Sequence, residues 1–316
     1  MARPFAPAER ARELLESAAG SVDASAVQLL VEAIELDPSL RDAYVALGRI
    51  YRRLGHLRAE LALWQRRVEI SPSDAGATER LGWVLWFTGD PAAALPWLQR
   101  TIELAPTGRW ARFYIGNAQL RLGDHEAAVR AYREALEHQP DHSSAHAGVI
   151  WSLLAARRDD EARVQLATMR ASTLDDDRYL VKIADIEFFL GEVEQALAHA
   201  RQAAAAEPEE RYWPRGVCPS TLVAAALEGT GGEAARALET SVELDHERLA
   251  REDEGPMPRY DLAAVHALKG EYETALRWLH EAIAAGWWYP DLARRDPLFG
   301  KLREDPDFVG MMRSRL

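Results

Sequence analysis

Apolar positions recur three and four residues apart along most of the chain, which is the period of an amphipathic helix. In AYVALGRIYRRLGHLRAELALWQRRVEISP, residues 43–72, Tyr44, Leu47, Gly48 and Tyr51 form one such stripe. In RLGWVLWFTGD, residues 80–90, Leu81, Gly82 and Leu85 form another. The stripes are short and are cut at regular places. The residue before a proline is disfavoured in the helical region. Asp37, Ser71, Ala105 and Gln139 therefore end helices. Gly55, Gly89 and Gly123 can take the left-handed conformation that closes a helix. The pattern predicts a series of short amphipathic helices.

The breaks are periodic. Pro38, Pro72, Pro106, Pro140 and Pro208 are separated by 34 residues or a multiple of it, with Leu174 in the missing place. Gly48, Gly82 and Gly116 keep the same spacing, as do Gly55, Gly89, Gly123 and, two periods on, Gly191. Period and residue types resemble the tetratricopeptide repeat, W-x2-L-G-x2-Y, then A-x3-F, then P. The second unit places Tyr44, Leu47, Gly48, Tyr51, Trp64 and Pro72 on that pattern and departs from it at Glu60, where Ala is usual. The fourth keeps Gly116, Ala128, Tyr132, Ala135 and Pro140, and the sixth keeps Ala196, Ala203 and Pro208.

The resemblance implies an all-α, right-handed superhelical solenoid of about eight helix pairs with a C-terminal capping helix. Residues 1–40 read as an N-terminal capping repeat and 41–210 as five regular repeats. Residues 211–289 read as two irregular repeats with insertions at 209–220 and 251–261, and 290–316 as a C-terminal cap like the tails of bacterial relatives. Such arrays are stabilised by stacking of neighbours, without one central core.

Composition narrows the function. The net charge of −12 argues against general nucleic-acid binding, which needs a basic face. No run of apolar residues is long enough to span a membrane, and MARPFAPAERARELLE lacks the pattern of a signal peptide. The single cysteine, Cys218, fits a reducing, cytoplasmic setting. His138, His142 and His146 are four apart, but Pro140 interrupts them, and two ligands are too few for zinc. GTGGE, residues 229–233, lacks the spacing and lysine of a P-loop. The sequence thus points to no enzyme, cofactor or metal.

In the family, the first helix of each pair lines a concave groove. Its groove positions hold Arg49, Arg52 and Arg53 in the second unit, and Trp83, Trp86 and Phe87 in the third. The fourth supplies Trp110, Phe113, Asn117 and Arg121, the fifth Trp151, and the sixth Asp185, Phe188 and Phe189. Arg178 and Lys182 share a face of the sixth unit's first helix. Eight aromatics left even ~50 Å² exposed would give ~400 Å², the size of a functional patch. The expectation is a non-catalytic scaffold for a protein or peptide with apolar anchors and an acidic or C-terminal group. Two other readings stay open: a regulatory or sensory subunit of a bacterial signalling system, and an enzyme or small-ligand binder whose groove is closed by the insertions around Trp213 and Tyr260.

Overall fold

The structure is a computed structural model and describes residues 7–20, 24–173, 177–206, 232–250, 253–287 and 289–313. It is an all-α solenoid. Six helix pairs follow one another: α1 Pro7–Ser17 with α2 Ala24–Leu36, α3 Arg41–Leu54 with α4 Leu57–Ile70, α5 Ala75–Phe87 with α6 Pro91–Leu104, α7 Arg109–Leu122 with α8 His125–His138, α9 Ser143–Ala155 with α10 Asp159–Thr173, and α11 Asp177–Leu190 with α12 Val193–Ala206. Next come α13 Gly232–Ala250, the pair α14 Met257–Leu268 and α15 Tyr272–Ala284, and a cap. The cap comprises α16 Pro290–Ala293, a 3-10 segment Pro297–Leu302, and α17 Pro306–Met311. The first insertion, with Trp213 and Cys218, lies outside the described residues.

The periodic residues act as their chemistry requires. Ser71, Ala105 and Gln139 cap α4, α6 and α8, each one residue before its proline. Gly55 and Gly123 close α3 and α7 in the left-handed region, at φ 74° and 83°. Gly48 allows close pairing within the second unit, since a Cβ there would stand 2.7 Å from the Trp64 ring. N-termini are capped in register. The Asp74, Asp90 and Asp124 carboxylates accept from the backbone N–H three residues on, and His142 does the same through Nδ1 at α9, 34 and 68 residues from its counterparts Gly108 and Asp74.

Stacking of neighbours is only part of the stabilisation, which corrects the expectation of a purely one-dimensional array. The C-terminal quarter runs back along the turns that join first and second helices, meeting the units in order. Glu254 N–H donates to the Gly55 carbonyl (3.0 Å), and its carboxylate accepts from Arg58 N–H (2.7 Å). Gly286 packs on the backbone of Thr88 and Gly89. Asp291 pairs with His125 at 3.3 Å. Arg295 donates to the Leu154 carbonyl and to Asp159 (2.7 Å), and lies over the Phe189 ring. One hydrophobic cluster consequently extends from Leu120 to Met312, and a separate one joins the first three units. The reason is compositional. Tyr260, Trp287 and Tyr289 are large apolar groups that line one small gap with Trp151 of α9 and Phe189 of α11, and Phe299 packs behind them on Tyr260 and Phe308.

Candidate aromatic cleft

The first helices α5, α7 and α9 contact one another in series and present a common face. On α5, Trp83 and Phe87 are one turn apart and stack with ring centroids at 5.1 Å. On α7, Phe113, Tyr114 and Asn117 follow Trp110 by three, four and seven residues and share a face in the same way. Tyr114 joins the two helices, with its ring 6.3 Å from Trp86 and 6.1 Å from Trp110. A cleft of ≈ 240 Å³ remains between these helices and α9, lined among others by Trp83, Phe87, Phe113, Asn117 and Trp151.

The sequence-derived candidates divide according to burial. Arg49, Arg53 and Trp110 are exposed, and Arg52, Trp83, Phe87 and Phe113 are half-buried. Trp86, Trp151, Phe188 and Phe189 are buried, which corrects the expectation that all eight aromatics face an open groove. Trp151 is only 1% exposed, since it meets Phe189 edge to face and lines the same small gap as Tyr260, Trp287 and Tyr289. Polar candidates are buried as well. Asp185 and Lys182 lie inside α11's packed surface, and Arg121 donates to the Trp86 carbonyl and lies over Tyr289, which makes it a structural tie. Asn117 is buried with its amide oxygen accepting from Tyr132 Oη (2.6 Å), while it still lines the cleft. The Arg178 side chain lies outside the described residues.

Two residues of the site are not singled out by repeat position. Tyr114 is one turn from Trp110, so its place follows from helical spacing alone. His142 sits under Trp110 and Phe113, 4.8 Å from each ring. Burial there, helped by the nearby Lys182 ammonium, pushes its pKa down to about 4. It is therefore neutral at pH 7, as its capping role needs. Burial likewise pushes the Tyr114 phenol up to about 12.

A second cleft, ≈ 260 Å³, adjoins the first between α3 and α5. Arg41, Arg49, Arg52 and Arg80 line it, against Asp74 and Glu79. The boundary is a chain of contacts. Trp64 Nε1 donates to buried Glu60 (3.2 Å), Arg52 pairs with Glu60 at 2.5 Å, and the Arg52 guanidinium lies 4.5 Å from the Trp83 ring centroid. The departure at Glu60 thus serves to hold Arg52 on the aromatic wall. No cluster of metal-binding side chains occurs among the described residues, and none of their helices is long and apolar enough to cross a membrane.

Family models described as tetratricopeptide repeat match residues 56–109 and 109–216, together about half of the chain. Among solved structures, a tetratricopeptide repeat protein from Parabacteroides merdae is similar over 87% of this chain and 99% of its own, at 17% identity and a TM-score of 0.56. MamA from Desulfovibrio magneticus is similar over 54% of this chain and 98% of its own, at 19% identity and a TM-score of 0.49. These likenesses concern the fold alone. No curated protein matches the sequence.

Proposed function

Because the chain belongs to the tetratricopeptide repeat family, whose fold is in general a non-catalytic surface for protein partners, we propose that it is a cytoplasmic scaffold that binds a peptide segment in the cleft of α5, α7 and α9. The observation that carries the reading is the contrast along the first-helix face. Trp83, Phe87, Trp110 and Phe113 keep exposed ring surface, whereas the aromatics at the equivalent positions of α9 and α11 are covered by the chain's own C-terminal residues. Large rigid aromatics in a pocket supply most binding energy at such surfaces. The Asn117 amide lies at the cleft floor, where it can meet a peptide backbone. The far end is blind at Trp151, so the partner engages α3 to α9 and turns away before α11.

Selection from a displayed random-peptide library tests this. The expected result is an apolar consensus that Trp83→Ala no longer retains. Peptides recovered equally well by both proteins would count against the cleft.

A further inference from the structure

Charge at the second cleft specifies the partner further. Arg41 is engaged by Asp74 (3.5 Å), and Arg52 by Glu60 (2.5 Å). Arg49 and Arg80 line the same cleft and pair with no acidic group among the described residues. The protein as a whole carries a net charge of −12, so this is a local reversal of sign. Asp74 and Glu79 also line the cleft, with Asp74 engaged by Arg41 and Arg67, so four arginines stand against two carboxylates there. At physiological salt the screening length is about 8 Å, which limits the reach of the acidic surface elsewhere. Guanidinium groups match carboxylates in a two-point fork. The apolar cleft begins where the basic one ends, at Arg52 on Trp83.

We propose that the partner is an acidic–apolar peptide held in two subsites: a side-chain carboxylate at Arg49 and Arg80, and a bulky apolar side chain between Trp83 and Phe113. Neighbouring first helices stand about 10 Å apart. The two subsites, between α3 and α5 and between α5 and α7, are then about 10 Å apart, which an extended chain covers in roughly three residues. The positively charged pair selects the peptide, the aromatic pocket holds it, and Glu60 keeps Arg52 from competing for the incoming carboxylate. This inference rests on the aromatic cleft being the peptide site.

Fluorescence anisotropy with short synthetic peptides, blocked at both ends, provides the test. One probe carries a Glu pair three residues from a Trp, in both orders. The second replaces Glu by Gln, and the third replaces it by Lys. The Glu probe should bind about ten-fold more tightly than the Gln probe, the effect of one charge-assisted pair. Arg49→Glu with Arg80→Glu should abolish that advantage and transfer it to the Lys probe, with the melting temperature unchanged. Equal binding of Glu and Gln probes, with both lost in Trp83→Ala, would overturn the charged subsite and leave the aromatic one standing. Binding of every probe unaffected by Trp83→Ala would overturn both.

Discussion

Trp151 and Phe189 meet edge to face with ring centroids 5.2 Å apart, and this contact divides the open cleft from the covered part of the first-helix face. In front of it lie Phe113 and Asn117, and behind it Tyr260, Trp287 and Tyr289. The C-terminal residues are therefore part of the structure that shapes the site.

Trp287 stacks on Tyr260 at 4.5 Å and is 3% exposed. Trp287→Ala should destabilise the protein by about 3–5 kcal/mol, the usual range for a buried Trp truncated in a core. Hydrogen exchange should show where the loss falls. Protection should drop in the turns near Gly89 and Gly123 while α1 and α2 are little affected, since that N-terminal pair belongs to the other cluster. A loss confined to α14 and α15 would mean that the C-terminal region does not brace the earlier repeats.

Two left-handed glycines should respond differently to alanine. Gly286, at φ 105°, stands where a Cβ would come 2.9 Å from the Thr88 carbonyl oxygen. Gly123, at φ 83°, has nothing within 4 Å of that position. Gly123→Ala should cost only the backbone strain of about 1–2 kcal/mol. Gly286→Ala adds a clash with backbone that cannot move aside, so its denaturation midpoint should fall further. Equal midpoints would argue against the close seating of this turn on the third unit.

His142 should make stability depend on pH. Its folded pKa of about 4 lies below the ordinary 6.5. Above pH 6.5 both states are neutral at this site, and the full stability is present. Between pH 6.5 and 4 the unfolded chain takes up a proton that the folded state refuses, so stability falls, by on the order of 3 kcal/mol in total. His142→Asn keeps a capping acceptor and removes the titration. Its unfolding free energy should be flatter across that window than that of the unaltered protein.

Much of the fold was legible because the repeat writes its helix ends into the chain. Ser71, Ala105 and Gln139 end helices for the local reason that a proline follows each. The open and closed parts of the groove were not legible. Trp83 and Trp151 occupy equivalent repeat positions two periods apart, yet one lines a cleft and the other is buried. The difference comes from Tyr260, Trp287 and Tyr289, which are more than a hundred residues after Trp151 and outside the 34-residue register. Local periodicity carries no information about such long-range contacts. The same holds for Glu60, visible as a departure from the pattern but explained only by Arg52 and Trp64.

The most direct measurement is the affinity of a peptide selected on the unaltered protein for the Trp83→Ala, Trp110→Ala double variant, with its melting temperature recorded alongside. Both rings keep solvent-facing surface, Trp110 at 36% exposure, so their removal should lower the melting temperature by only a few degrees. Binding should weaken about a hundred-fold, as for paired aromatic hot spots. Unchanged binding in a variant that has lost much of its folding stability would contradict the account and place these aromatics in the core.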